Sequence, residues 1–291
     1  MLSEPIFSVS QFTTWHNSFE EDVELYGRLG IEGIEICERK LSPNPREAHA
    51  QLEQVTRAGL RVTSVQPRCH ALFPDSMCPD VLSVEDRVAI YRNTIELFAA
   101  AFPGQNLPFV AITGNAHEGD FAHSHRTALR IYPELADYAA ERGVRIMFEP
   151  LSPVLMNRDT FICTLDGALQ LIYDVNRPNF GLMLDVWHVW REPHICERVG
   201  QLKDLIFGVH VSDWPAGEPR HIGDRLLPGD GVIDLPQLFS AIRGAGYNDA
   251  YCLEIFSVDH LPDSLWRRDP ADVINRGKQG FLSAWNRQAT S

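Results

Sequence analysis

Two acidic side chains end short apolar segments in the second half of the chain: RIMFE ends in Glu149 and GLMLD ends in Asp185. Two later segments carry His210 (in GVHV) and Glu254 (in YCLEI). A buried carboxylate without a partner is costly, so such residues need a function or a counter-charge. Three carboxylates and one imidazole suit Mn²⁺, Mg²⁺, Co²⁺ or Zn²⁺. The pattern predicts a divalent-metal site; alternatively, each carboxylate pairs with a buried arginine or caps a neighbouring loop.

Two further residues could act on a substrate at such a site. His188 follows Asp185 by three residues in LDVWH, a spacing that can turn both side chains towards one cavity. The alternative is a histidine packed in an aromatic cluster with Trp187 and Trp190. Arg225 opens the glycine-rich segment DRLLPGDG and could place its guanidinium over an oxygen that gains negative charge. The alternative is a surface arginine on an ordinary loop.

Short β-type segments alternate with amphipathic stretches along the chain. The strand candidates are residues 6–10, 33–37, 62–66, 109–113, 145–149, 181–185, 208–211 and 251–255. The helix candidates are residues 19–29, 86–101, 125–142, 165–175 and 235–244. Eight evenly spaced units predict a (β/α)8 barrel rather than an open sheet, and no GxGxxG or GxxxxGK[ST] motif indicates a nucleotide-binding sheet.

A barrel would gather the polar residues at the C-terminal ends of its strands, where barrel enzymes carry their active sites. No linker interrupts the sequence, so we expect one domain over residues 1–291. The barrel should span about residues 5–258, and a helical tail about residues 262–291 should cover it.

Composition narrows the function classes. Hydrophobic residues make up 44% of the 291 residues, enough for a large core, which excludes a disordered chain. The net charge of -13 disfavours nucleic acid and anionic membranes as partners. We see no signal peptide and no apolar run long enough to span a membrane. The six cysteines are scattered without a CxxC pair, which is typical of a reduced, cytoplasmic protein.

The motifs FEP, LDVWH, GVHVSDW, DRLLPGDG and LEIF, in this order, resemble the xylose isomerase-like family of sugar phosphate isomerases and epimerases. The resemblance implies a single-metal TIM barrel and one divalent ion, with Mn²⁺ expected first and Mg²⁺, Co²⁺ or Zn²⁺ as alternatives. It implies that the metal ligands are Glu149, Asp185, His210 and Glu254. It also implies that His188 and Arg225 contact substrate oxygens, and it suggests a homodimer or homotetramer.

The family chemistry implies a metal-dependent isomerase or epimerase that works through a metal-stabilised cis-enediolate. Glu149 and Glu254 would be the acid/base pair, one removing a proton next to the carbonyl and the other returning it. The substrate would be a keto-sugar, a sugar phosphate or an inosose, that is, a small carbohydrate or polyol.

The chain departs from the ketose 3-epimerase pattern at two places on the expected active-site face. Those enzymes carry a second glutamate six residues after the metal-binding one, where this chain has Leu155, and Asn157, Arg158 and Asp159 come only after an inserted SPVLM. A further insertion, PAGEPRHIG, separates Asp213 from Arg225. The family resemblance therefore does not identify the substrate.

Other functions remain open from the sequence. A metal-dependent lyase or dehydratase could use the same enolate to expel a leaving group from a keto-sugar, a C-glycoside or a dehydroshikimate-like substrate. A nuclease resembling endonuclease IV is a remote alternative, with His70 and His117 as further metal ligands; we expect these two histidines to contact substrate instead. Trp15 is also predicted to contact substrate, and Glu38 and Trp214 to line the pocket. A non-catalytic sugar-binding barrel would not need both acid/base carboxylates.

Overall fold

The computed structural model describes residues 5–217 and 224–287, which form one closed barrel of eight parallel strands. The strands follow one another in chain order around the barrel, and the last pairs with the first. They are β1 (Phe7–Ser10), β2 (Gly33–Cys37), β3 (Arg61–Gln66), β4 (Pro108–Ala111), β5 (Arg145–Phe148), β6 (Phe180–Asp185), β7 (Ile206–Val211) and β8 (Tyr251–Leu253). The predicted (β/α)8 barrel is confirmed.

The predicted strands are all present, with small differences at their ends. Strands β5 and β8 end one residue before Glu149 and Glu254, which the sequence placed inside the strands. Both glutamates still continue the ladder, because Glu149 N donates to Ala111 O at 2.9 Å and Glu254 N donates to Val211 O at 3.2 Å. Their backbones are therefore fixed as firmly as strand residues, while their side chains are free to meet at the barrel mouth.

Helices cover the outside of the barrel. In the described ranges they are α1 (Phe19–Arg28), α2 (Pro45–Arg57), α3 (Val84–Ala101), α4 (Phe121–Ala140), α5 (Leu165–Val175), α6 (Val186–Val189), α7 (Ile195–Val199), α8 (Leu235–Gly244) and α9 (Pro270–Arg287), with 3₁₀ turns at Glu38–Lys40, His117–Gly119, Pro153–Leu155 and Leu265–Arg267. Helices α5 and α8 have the predicted bounds. Helix α2 was missed, although Asn44 caps it and Pro45 occupies its first turn. No helix of this part of the chain is long and apolar enough to cross a membrane.

The floor of the barrel mouth is apolar. Met147 and Met183 belong to a small buried cluster inside the barrel with Ala71, Val110, Ile112 and Leu151. Gly208 makes room for the two thioethers, because a Cβ at that position would lie 2.6 Å from Met147 Sδ and 2.8 Å from Met183 Sδ. The polar groups above this layer are thereby separated from the rest of the barrel interior.

Helix α9, within the predicted helical tail, packs against the loop that carries Arg225. Gly280 is the contact point, since a Cβ added there would lie 1.8 Å from Pro228 O. Because the obstacle is backbone, a larger residue could be accommodated only by moving either the helix or the loop.

We therefore expect Gly280→Ala to lower the free energy of unfolding by about 2 kcal/mol, in spite of the higher helix propensity of alanine. Urea unfolding followed by circular dichroism would measure the change. Gly244→Ala is the matched control, because no atom lies within 4 Å of its Cβ position and it should be neutral or stabilising. A Gly280→Ala protein as stable as the control would contradict this account of the contact.

Candidate active site

The four predicted metal ligands meet at the C-terminal mouth of the barrel. One ligand atom from each of Glu149, Asp185, His210 and Glu254 lies within 4.8 Å of the others, and all four side chains are buried. Strand pairing accounts for part of this convergence, because Asp185 and His210 are register partners in β6 and β7. The structure thus brings the four predicted ligands together, and their binding of a metal stays a prediction.

His210 is oriented by a residue that the sequence analysis did not identify. Its Nε2 lies 2.8 Å from Glu35 Oε2, which also accepts a hydrogen bond from Ser64 Oγ at 2.7 Å. Its Nδ1 is buried and makes no hydrogen bond, although Glu254 Oε2 lies 3.2 Å away. Burial opposes protonation of His210, but the charges of Glu254 and Glu35 outweigh it and raise the pKa of His210 well above its ordinary value, so Nδ1 carries a proton that a bound cation would displace. The contact of Nε2 with Glu35 leaves Nδ1 facing the cluster, which is the usual arrangement around a metal-binding histidine.

Glu35 could have been found from the sequence. It is an acidic residue inside the apolar strand GIEIC, the same signal that identified Glu149 and Asp185. Gln66 joins the same network: its side-chain amide lies 3.4 Å from Glu35 Oε1 and 3.3 Å from Glu254 Oε1.

Arg225 is buried and forms ion pairs within the cluster. Its Nη1 donates to Asp185 Oδ2 at 2.7 Å and to Glu254 Oε2 at 2.9 Å. Pairing with a buried arginine was the alternative explanation of these carboxylates, and it holds for two of them. It does not account for Glu149 or for the free Nδ1 of His210, so the cluster still fits a cation.

Asp213 holds the loop that delivers Arg225. Its carboxylate accepts four backbone N–H groups at 2.8 to 3.1 Å, from Trp214, Gly229, Gly231 and Ile233. Gly231 has to be glycine for this approach, because a Cβ would lie 2.3 Å from Trp214 O. The glycine-rich segment is thus a folded support for Arg225. Residues 218–223 of the PAGEPRHIG insertion lie outside the described residues.

His188 presents a hydrogen-bond donor to the same site. Ser152 N donates to its Nδ1 at 3.0 Å, which leaves the proton of the neutral ring on Nε2. Burial and the Arg225 charge lower the pKa of His188 well below its ordinary value, so the ring is neutral. Its Nε2 lies 3.4 Å from Arg225 Nη2, so two donors converge on one region. The ring also meets Trp187 edge-on at 5.2 Å, so the aromatic packing and the site role coexist.

The two glutamates of the cluster have opposite electrostatic surroundings. Burial raises the pKa of Glu149 to about 7. Burial also acts to raise the pKa of Glu254, but the charges of His210 and Arg225 outweigh it and lower that pKa below its ordinary value. In the metal-free protein near neutral pH, one carboxyl can therefore hold a proton while the other is ionised.

A cavity of about 350 Å³ opens from this cluster. Glu149, His188, Arg225 and Glu254 line it, and so does His70, as predicted. Its other walls come largely from the segments after β1, β3, β5 and β8. The residues there include Phe12, Asp75, Leu155, Arg158, Asp159, Phe256 and Trp266. The volume lies within the range of small-molecule sites.

Two predicted substrate contacts do not line this cavity. Trp15 stacks on Trp266 at 5.9 Å and so packs behind a lining residue. His117 is exposed in a 3₁₀ turn, where its ring stacks with Phe73 at 6.5 Å. Both follow a strand in the sequence, but neither side chain lines the cavity that opens from the cluster.

The two further candidates for the pocket lining have structural contacts instead. Glu38 accepts hydrogen bonds from Arg68 N and Thr94 Oγ1, both at 2.6 Å. Trp214 is buried against Trp187, with 4.4 Å between the ring centroids. Neither residue lines the cavity.

Comparison with known proteins agrees with this geometry. A family model described as xylose isomerase-like TIM barrel matches residues 23–277. The inosose isomerase of Halalkalibacterium halodurans is 27% identical over 261 residues, which cover 86% of this chain and 88% of that protein. The inosose isomerase of Bacillus subtilis is 30% identical over 141 residues, 46% of this chain and 48% of that protein.

Other relatives carry out different reactions. An L-ribulose 3-epimerase of Methylomonas sp. is 25% identical over 68% of each chain. A 3-dehydroshikimate dehydratase of Pseudomonas aeruginosa is 30% identical over 43% of this chain, but the match covers only 20% of that protein. Among solved structures, the IolI protein with a bound zinc atom superposes with a TM-score of 0.78 at 20% identity, covering 98% of this chain and 99% of the other. That likeness supports the fold.

The raised pKa of Glu149 predicts a pH dependence of stability in the protein stripped of metal by a chelator. The folded state holds this proton more tightly than the unfolded state, so the stabilisation is complete below the ordinary value of 4.5 and is lost as the pH rises through about 7. We expect the free energy of unfolding of the wild type to fall by roughly 2 kcal/mol relative to Glu149→Gln over this window.

Urea unfolding with chelator at several pH values between 5 and 8 would measure this difference. Exposed Glu134 provides the matched control, and Glu134→Gln should keep the pH dependence of the wild type. An identical pH dependence in Glu149→Gln and the wild type would show that this carboxyl is not the group that titrates.

Proposed function

We propose that this chain, which belongs to the xylose isomerase-like TIM barrel family, is a divalent-metal-dependent isomerase or epimerase. Its substrate would be a keto-sugar, a sugar phosphate or an inosose. The observation that carries the proposal is the convergence of Glu149, Asp185, His210 and Glu254, with one ligand atom of each within 4.8 Å of the others, beside a cavity that the donors of His188 and Arg225 also line. Relatives named as inosose isomerases and an epimerase support this class of reaction.

The residues that would hold the metal are Glu149, Asp185, His210 and Glu254. The buried, unpartnered Nδ1 of His210 fits this role, as does the excess of carboxylates over the single guanidinium of Arg225. When bound, Mn²⁺, or alternatively Mg²⁺, Co²⁺ or Zn²⁺, would act as a Lewis acid that acidifies the C–H next to a carbonyl.

Proton transfer would be carried out by the two glutamates. Glu254 would take the proton from the carbon next to the carbonyl, and Glu149 would return a proton. Both carboxyl groups line the cavity, so both can reach a bound substrate. If the proton is returned to the same carbon on the other face, the configuration of that carbon is inverted. If it is returned to the former carbonyl carbon, and the hydroxyl proton shifts to the other oxygen, the product is the 1,2-isomer. In both reactions the substrate loses one proton from carbon and gains one proton on carbon.

His188 and Arg225 would stabilise the oxygen that becomes negative when the proton leaves. The Nε2–H of neutral His188 and the Nη2 group of Arg225 lie 3.4 Å apart, so both can donate to one oxygen. Since the pKa of His188 is lowered well below its ordinary value, it donates a hydrogen bond and keeps its proton.

A lyase is the second candidate function, favoured by the dehydratase among the relatives. The same intermediate would then lose a leaving group from the neighbouring carbon instead of regaining a proton. A nuclease remains a remote alternative. It would require His70 and His117 at the metal centre, and the exposed position of His117 away from the cavity weakens it.

We further propose a small carbohydrate or polyol as the partner, with no nucleic acid and no membrane. The net charge of -13 supports both exclusions. A cytoplasmic location and a homodimer or homotetramer complete the proposal. The buried or half-buried free cysteines are consistent with a reducing compartment.

Metal content tests the ligand set. We expect about one divalent ion per wild-type chain after dialysis, and none in Asp185→Asn. An asparagine can keep the Oδ1 contact to Trp187 N at 2.8 Å while replacing the oxygen that faces the cluster. Exposed Asp174 gives the control Asp174→Asn, which should retain the metal. Two or three zinc ions would favour the nuclease, and no metal even after reconstitution would overturn the proposal.

Solvent-deuterium exchange tests the chemistry. We expect the wild type to exchange the C–H next to the carbonyl of a keto-sugar or inosose, and Glu254→Gln to do so at least 100-fold more slowly, because the base is lost. Circular dichroism should show that the variant remains folded, and Glu134→Gln should exchange at the wild-type rate. Wild-type exchange by Glu254→Gln would remove this residue from the mechanism.

A further inference from the structure

The segment after β3 contributes a buried carboxylate to the cavity that the mechanism does not use. Asp75 lines the cavity and is only 3% exposed. Its Oδ1 accepts hydrogen bonds from Met77 N at 2.7 Å and Cys78 N at 2.8 Å. Its Oδ2 is buried and has no hydrogen-bond partner among the described residues. One oxygen of this carboxylate is thus tied to the backbone, and the other has no partner in the described part of the chain to offset its burial.

An unpartnered acceptor of this kind calls for an explanation, because buried polar atoms in proteins are nearly always hydrogen-bonded. The two backbone bonds to Oδ1 fix the orientation of the carboxylate. They make Oδ2 a preorganised acceptor, which loses little freedom when a donor arrives. In the closed barrel, β3 lies four strands from β7, so this segment enters the mouth from the side facing His210.

The neighbouring groups give this wall a negative, hydrogen-bond-accepting character. Asp159 lines the same cavity, and its Oδ1 is held by Ser76 N at 2.7 Å. His70 has its Nδ1 3.2 Å from Pro67 O, which places the proton there and leaves Nε2 as an acceptor. Arg158 also lines the cavity, but it is half exposed and its Nε lies 3.7 Å from Asp159 Oδ2.

We propose that Asp75 accepts hydrogen bonds from substrate hydroxyl groups away from the reacting carbons and thereby selects an unphosphorylated polyhydroxy ketone. Hydroxyl donors satisfy Oδ2, whereas a phosphate dianion would meet the carboxylates of Asp75 and Asp159, of which, among the described residues, only Asp159 has a cation, Arg158, beside it. The inference rests on the proposed function, because it assumes that the substrate binds in this cavity with its carbonyl at the acid/base cluster. It narrows the substrate class to neutral ketones and makes Asp75 a specificity-determining residue.

Asp75→Asn tests this directly. An asparagine can keep Oδ1 on Met77 N and Cys78 N, so the loop is retained, while its NH₂ group replaces the free acceptor with a donor. Asp80→Asn is the matched control, because it makes the same change in charge on an exposed residue of the same loop that does not line the cavity. The probes are myo-inosose, D-fructose and D-fructose 6-phosphate, titrated calorimetrically into the Mn²⁺-loaded protein.

Of the two neutral ketones, myo-inosose and D-fructose, the one that binds more tightly is the reference ligand. We expect the wild type and Asp80→Asn to bind it at least about tenfold more tightly than D-fructose 6-phosphate. Asp75→Asn should weaken binding of this ketone about tenfold or more. The ratio of the dissociation constants for D-fructose 6-phosphate and the ketone should become smaller. Without ligand, Asp75→Asn should unfold close to the wild-type temperature, because the hydrogen bonds to Oδ1 are retained and the second polar atom lacks a partner in both proteins. At saturating ketone, Asp75→Asn should catalyse solvent-deuterium exchange at a rate close to that of the wild type.

Three results would overturn the inference: unchanged ketone binding in Asp75→Asn, a wild-type preference for the phosphate, or an equal loss of all binding together with lower thermal stability. The last result would assign Asp75 a structural role. Asp75-dependent ketone binding without any deuterium exchange in the wild type would overturn the proposed reaction and leave the Asp75 site standing. A wild type that binds no ketone at all would overturn both.

Discussion

Arg225 lies between Asp185 and Glu254, and the arrangement of the barrel mouth depends on this buried double ion pair. Removing charges from water is expensive, and their attraction compensates only when the geometry is good and the remaining lone pairs are satisfied. The structure meets that condition with contacts outside the cluster. Asp213 ties down the loop that carries the arginine, and Gly280 lets the last helix pack against that loop. The terminal helix is therefore part of the support of the site.

The strands and the loops divide the work of building the site. Groups proposed for the metal and for proton transfer lie at or next to strand ends, where backbone ladders fix them to within the tolerance that catalysis needs. Glu35, Ser64 and Gln66 form a supporting layer on β2 and β3 that orients His210 and Glu254. The groups that face the rest of the substrate come instead from loops, which can change without disturbing the barrel.

Much of the fold and of the central site could be predicted from the sequence. Strands buried on both faces are apolar, so the acidic residues and the histidine within them stood out, and chain order in a barrel brought their ends together. For residues in the loops beyond the strand ends, sequence position after a strand did not predict which side chains line the cavity. Trp15 and His117 are two examples. Asp75 could not be found at all, because its significance lies in one free oxygen, and that depends on where the backbone of Met77 and Cys78 turns.

The insertion after β5 explains why the family pattern does not specify the substrate. It places Leu155 in the cavity wall, at the position where ketose 3-epimerases are expected to carry a second glutamate. It then anchors itself to other loops, since Asn157 Oδ1 accepts from Ala116 N at 3.1 Å and Asp159 Oδ1 accepts from Ser76 N. Leu155 leaves this part of the wall apolar, and the carboxylates of the wall, Asp75 and Asp159, are held where the two loops contact each other. Under the proposed function, substrate recognition would therefore depend on a wall whose shape requires both loops, while the proposed metal and proton-transfer groups lie at the strand ends.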